Sequence, residues 1–222
     1  MYPLYFFDFE TYGSAVPLVD RASPHKQFLV QYSLHILDAD GAQTHKELLE
    51  RAARPPDRLI DQMQADIGPK GSIVSWHASF EKTQNREMGG WFPDWAPFLN
   101  DLNERMVDLE DVLKMAYVDV RFDGSTSIKK VLPVVFPALG YKDIEVQDGS
   151  LAMEAWERLI AAEGEEADQS ADDLSRYCER DALAMVEVYR FVKSASEAQS
   201  FTTIYTRLYA RAGTRSGPPQ YF

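Results

Sequence analysis

Apolar positions in this chain form dense short runs near the start and helix-spaced stripes further on. The first run, Leu4-Tyr5-Phe6-Phe7-Asp8-Phe9-Glu10-Thr11, is aromatic and β-prone, and predicts a buried strand. Phe28 to Leu37 predicts a second strand, with a turn at Asp38-Ala39-Asp40-Gly41, and Thr44 to Glu50 a weaker third. Pro55 and Pro56 open a helix through about Asp66, carrying Leu59, Ile60 and Met63 on one stripe; Gly68-Pro69-Lys70-Gly71 ends it. Ser72 to Trp76 predicts a short strand parallel to the first. The helix expected over Phe80 to Met88 is broken by Gly89-Gly90. Further helices are expected over Pro93 to Arg105, over Ile128 to Val135 after the capping run Asp123-Gly124-Ser125-Thr126-Ser127, and over Ala152 to Ala162. Met106-Val107-Asp108-Leu109 leads into an apolar segment ending near Val118, and Gln147-Asp148-Gly149 reads as a turn. Glu163 to Ser170 reads as an acidic loop. Asp172 to about Ser194 reads as the longest helix, with Leu174, Cys178, Met185, Val188 and Val192 on its apolar face. The fold class is therefore α/β: a mixed sheet, antiparallel over its first three strands and then parallel, flanked by helices.

At 222 residues and 45% hydrophobic, the chain is long enough for one full core. No linker-like tract divides it, so residues 1–195 are expected to form one domain. Residues 196–222, without clean periodicity, fit either a terminal helix or a loose tail. No run of 18 apolar residues exists and the start lacks a basic-then-apolar signal, so no membrane association is expected. A single cysteine, Cys178, excludes an internal disulfide and fits a reducing, cytoplasmic setting. The net charge of −12 argues against a non-specific nucleic-acid surface, but not against a site that meets phosphates through cations. Four histidines, His25, His35, His45 and His77, are scattered, with no close pair at zinc-site spacing. No Walker loop or G-x-G-x-x-G run is present.

Candidate chemistry lies in the carboxylates. Residues i and i+2 of a strand share a face, so Asp8 and Glu10 point together while Phe7 and Phe9 face the opposite packing. Two desolvated anions a few ångströms apart need a shared proton or a cation, unless they lie solvated at a frayed strand end. Glu81 follows a strand-to-helix junction, a usual place for functional groups and also one where the helix dipole favours an acid. Tyr177 and Asp181, at i and i+4, stack on one face of the long helix.

Taken together, these stretches resemble the DnaQ-like 3′–5′ exonucleases of the ribonuclease H-like fold, in their DEDDy subgroup. That family's Asp-x-Glu is met by Asp8-Phe9-Glu10-Thr11. Its Asn-x-x-Phe-Asp is matched loosely by His77-Ala78-Ser79-Phe80-Glu81, and its Tyr-x-x-x-Asp is met by Tyr177 to Asp181. The resemblance spans roughly residues 2 to 193. Where histidine-type relatives carry their base, five residues before the last aspartate, this chain has Arg176, so the tyrosine form is indicated.

The resemblance implies a ribonuclease H-like sheet and a metal-dependent 3′–5′ exonuclease acting on the ends of single-stranded DNA or RNA. It implies two divalent cations, magnesium or manganese, held by Asp8, Glu10, Glu81 and Asp181, with Tyr177 orienting the attacking water. Glu81 replaces the usual aspartate and His77 the usual asparagine, which leaves metal spacing and strand affinity open. Candidate substrate contacts are Phe9, Thr11, Tyr12, His77, Phe80, Lys129 and Lys130, with Lys82 and Arg86 adding positive potential. Phe9 fits ordinary packing as well, and the two lysines fit a solvated basic face. Two rival readings are a nucleic-acid-binding or scaffolding domain of the same fold and an endonuclease. The sequence leaves open an additional nuclease or protein partner domain in a longer parent protein.

Overall fold

The computed structural model describes residues 1–20 and 22–212, with residues 198–212 described as helical backbone. β1 (Leu4–Tyr12) runs through the middle of a five-stranded sheet. It pairs antiparallel with β2 (Phe28–Leu37), which pairs antiparallel with β3 (Gln43–Leu49). On its other side it pairs parallel with β4 (Ser72–Ser75), and β4 pairs parallel with β5 (Met106–Asp108). The order is β3-β2-β1-β4-β5, a mixed sheet as the hydrophobic runs predict. The register of β1 on β2 slips between Glu10 and Thr11, and such an irregularity re-aims side chains locally.

Alternation along β1 divides the core into two layers. Tyr5, Phe7 and Phe9 pack against α1 (Asp57–Asp66), α2 (Ser79–Trp91) and α3 (Ala96–Arg105), through Leu59, Ile60, Met63, Met88, Leu99 and Leu102. The opposite face, with Leu4, Phe6 and Tyr12, meets α4 (Leu109–Ala116), α5 (Ile128–Val135), α6 (Gly149–Ala161) and α7 (Glu165–Ala212). Asp8 and Glu10 lie on this second face, in phase with Leu4 and Phe6, so β1 carries its two anions toward α7.

Three expectations are corrected. α2 runs through Gly89 and Gly90 to Trp91. Each glycine costs a helix about 1 kcal/mol relative to alanine, a penalty that the buried Met88 and the packing of Gly89 against Ala96 override. The acidic stretch after Glu163 is helix from Glu165 onward, since Glu165, Glu166 and Asp168 favour the positive end of the helix dipole. Gln147-Asp148-Gly149 is more than a turn: Asp148 caps α6, accepting from the Ser150 and Leu151 N–H groups. As for the C-terminal stretch, α7 continues through Ala212, and residues 213–222 lie outside the described residues. Among the described residues, no helix is long and apolar enough to cross a membrane.

Trp156 on α6 is fully buried between Tyr12 and Phe28, and its indole N–H donates to the Glu50 carbonyl at 2.8 Å. Trp156→Ala is expected to cost about 3–5 kcal/mol in denaturant unfolding, through a cavity and an orphaned acceptor. A loss under about 1 kcal/mol would contradict this packing.

Candidate metal centre

β1 and α7 bring three carboxylates together. One oxygen each from Asp8, Glu10 and Asp181 lies within 4.8 Å of the others. The residues are distant in sequence, and packing of α7 across β1 closes the distance. Burial is the largest influence on Asp8, followed by the charges of Asp181, Glu10 and Glu81, and its carboxyl is held well above the usual range. Burial and then Asp181 raise Glu10 to about 8. Asp181 is raised by burial, against hydrogen bonds from Tyr141 and Tyr177 and the charges of Lys129 and Arg180.

The surroundings answer this repulsion in part. The Tyr141 hydroxyl donates to Asp181 Oδ1 in a very short bond. Lys129 Nζ donates to the Tyr177 hydroxyl at 3.1 Å and sits over the Tyr177 and Tyr141 rings, at 5.0 and 5.5 Å. The Cys178 thiol lies 3.9 Å from Asp8, beneath the cluster, and burial pushes it well above its ordinary value. Burial, then Asp181, likewise raises the Tyr177 hydroxyl far above the ordinary range.

Two open clefts meet at Asp8 and Asp181. The first, about 670 Å³, is lined by Trp76, His77, Glu110, Thr126 and Lys129 among others; the second, about 420 Å³, by Phe9, Glu10, Thr11, Phe80, Glu81 and Tyr177 among others. Glu81, in the first turn of α2, is buried beside the second cleft and is not part of the close three-carboxylate group. Burial raises it to about 7, and its Oε2 has no hydrogen-bond partner among the described residues.

His77 borders the first cleft in the left-handed region, with φ of 59°, where asparagine, aspartate and histidine are the tolerated non-glycine residues. Its N–H and that of Ala78 donate to Asp108 at 3.1 and 2.9 Å, so the strand-end carboxylate of β5 fixes the entry to α2. Its ring Nδ1 lies 3.2 Å from Glu110 Oε2, which shares its carboxylate with Thr126 and Lys114.

Three sequence expectations do not reach the clefts. Tyr12 is buried against Trp156 and Phe28, with its hydroxyl on Glu157, because even-numbered β1 residues beyond the register slip turn under α6. Lys130 is exposed and lies 3.9 Å from Asp123. Lys82 folds back onto the Met106 carbonyl at 3.2 Å. Phe9 is buried, but its ring meets Phe80 at 6.0 Å along the wall of the second cleft. Tyr141, Asp108, Glu110 and Thr126 were not singled out as site residues. An aspartate closing a short strand before a helix is a legible cap signal for Asp108, whereas Tyr141 stands in an irregular segment with none.

The histidines are also corrected. His35 and His45 are directly paired across β2 and β3, and their rings stack at 4.5 Å, so residues ten apart in sequence are neighbours once the hairpin closes.

This is an α/β protein whose mixed sheet presents an acidic cluster between two clefts. Residues 5–127 match the family described as a domain of unknown function, DUF2779, and the chain belongs to that family. The match includes Asp8, Glu10 and Glu81. The chain is also similar to the uncharacterized protein MG366 homolog of Mycoplasma pneumoniae, at 28% identity over 85% of this chain and 32% of the relative. Similarity to the uncharacterized protein MG366 of Mycoplasma genitalium is 26% identity over 90% and 33%. The chain thus spans about a third of the length of these relatives. No solved structure matches it.

A carboxyl raised in the folded state binds more protons folded than unfolded, so stability is lost as pH rises through the raised value. With Glu10 moved from 4.5 to about 8 and Glu81 from 4.5 to about 7, metal-free protein should lose stability between about pH 4.5 and 8. Asp8→Asn should raise unfolding free energy at pH 8 in EDTA by about 1–2 kcal/mol, read by denaturant melts. A destabilised Asp8→Asn protein would contradict the electrostatic account.

Proposed function

We propose that this chain is a ribonuclease H-like, DnaQ-like exonuclease domain that removes nucleotides from the 3′ end of single-stranded DNA or RNA with the help of divalent cations. The observation that carries the reading is the convergence of Asp8, Glu10 and Asp181 within 4.8 Å, with Tyr177 one turn before Asp181 on the same helix. The strand order and the antiparallel-then-parallel pairing are consistent with the fold class implied by the sequence motifs.

The donor set suits magnesium or manganese: it is all oxygen, its carboxyls are raised by burial and by one another, and buried Glu81 Oε2 is unpartnered. Asp8, Glu10 and Asp181 would hold the cations, with Glu81 supporting from α2. When bound, such ions polarise a phosphate and lower the pKa of water.

The chain's own groups do the rest. Tyr177, held protonated by burial and its anionic neighbours, donates a hydrogen bond and orients water rather than removing its proton. Lys129, half-buried beside the carboxylates and lining the first cleft, offers its ammonium to a phosphate bound there. Phe80 offers an exposed ring on which a terminal base can stack. Left-handed His77 presents its imidazole at the rim of the other cleft, where the adjoining strand would run.

A second reading, a binding domain without turnover, draws on the position of Glu81 outside the close group. One assay separates the readings. A 5′-labelled single strand incubated with manganese should give a ladder shortening from its 3′ end, abolished by EDTA. Asp8→Ala and Asp181→Asn should each lower the rate about 10³-fold, roughly 4 kcal/mol of transition-state stabilisation. Tyr177→Phe should lower it about 10²-fold without weakening strand binding. Internal cuts on a circular strand would replace this reading with an endonuclease. Binding without cleavage under any divalent metal would leave only the binding domain.

A further inference from the structure

On the far side of α7 from Asp181, His35 of β2, His45 of β3 and Glu179 of α7 form a second cluster. One ring nitrogen from each histidine and one Glu179 oxygen lie within 4.8 Å of one another. Whereas the first centre offers only oxygen, this one offers two imidazoles and a carboxylate. The approach is open: the His45 and Glu179 side chains are 26% and 46% exposed, and His45 Nδ1 is 3.8 Å from Glu179 Oε1. His35 is 4% exposed, and its Nε2 makes no well-formed hydrogen bond among the described residues, with only the Glu179 backbone carbonyl acting on the ring from that side. A buried imidazole nitrogen with so poorly aligned a partner is costly, and a coordinated cation would satisfy it.

We propose that His35, His45 and Glu179 bind one zinc-class divalent cation, which ties the β2–β3 hairpin to α7. Imidazole–carboxylate sets suit zinc, cobalt and nickel, and exclude magnesium by softness. His35 coordinates through Nε2, because Gln43 Nε2 lies 3.1 Å from its Nδ1. Binding at Nε2 moves the ring proton to Nδ1 with no net loss. The Gln43 amide then turns so that its oxygen accepts that proton, an outer hydrogen bond of the kind that orients metal-bound histidines. Arg190, which donates to the Gln43 oxygen at 2.8 Å, keeps its ion pair with Glu187 at 2.6 Å. His45 coordinates through Nδ1, leaving Nε2 on the Ser33 hydroxyl at 2.9 Å. With three protein ligands, the fourth position is left to water. The site does not depend on the nuclease reading.

The test uses the full chain, stripped of metal with a chelator and titrated with cobalt(II). The expected result is one equivalent giving visible d–d absorption of a four-coordinate ion, displaced stoichiometrically by zinc. His45→Gln and Glu179→Gln, both at solvent-accessible side chains, should weaken zinc at least about 10²-fold while far-UV circular dichroism stays unchanged. Asp8→Asn should leave the cobalt spectrum intact. Absence of the band, its persistence in both His45→Gln and Glu179→Gln, or its loss in Asp8→Asn would overturn the proposal.

Discussion

Everything around the first centre answers one electrostatic problem: Asp8, Glu10 and Asp181 are crowded together where water cannot fully solvate them. Coulomb repulsion at these separations is substantial at the effective dielectric of a protein. The fold enforces it anyway, because β1 is clamped between β2 and β4 and α7 crosses it with a fully buried stripe. Tyr141 donates to one anion and Lys129 lends a nearby positive charge, so the protein carries its own partial neutralisation. Folding energy from the two apolar layers therefore maintains an arrangement that, left to itself, would come apart.

Placement of the two clefts follows from the same packing. Asp8 and Asp181 border both, so any path from one cleft to the other passes over the carboxylates. Asp108 reinforces the geometry at a distance, since one strand-end side chain holds the turn before α2 and caps α4, and thereby sets the pose of His77 and Glu110. Histidine, like asparagine, is among the few non-glycine residues tolerated at a left-handed position, which lets His77 hold this turn.

Much of the architecture could be read from side-chain patterning. The run Phe28 to Leu37 became a strand with those bounds, Ile128 to Val135 became a helix with those bounds, and the Asp8–Glu10 period of two put both acids on one face. What local pattern could not supply was distance. Bringing Asp181 to β1 depends on how α7 crosses the sheet, and only the family resemblance anticipated it. His35 and His45 became neighbours through hairpin register, which no spacing rule for zinc would reveal. Tyr12 looked like a site residue because it sits beside the Asp8–Glu10 pair in sequence, yet α6 covers it. The start of α7 was missed because acidic residues signal loops by composition and helix beginnings by electrostatics, and here the second effect prevails.

Asp181 and Glu179 ride on one helix that contains neither glycine nor proline from Glu165 to Ala212. Such a rod has no built-in joint. The buried stripe from Leu174 to Val188 seats its middle on the sheet, so a pull on the helix beyond Val192 reaches Asp181 as a shift of that packed stretch rather than being absorbed by bending. The acidic centre is thus mechanically exposed to whatever grips the helix, at a range far beyond the reach of its own charges.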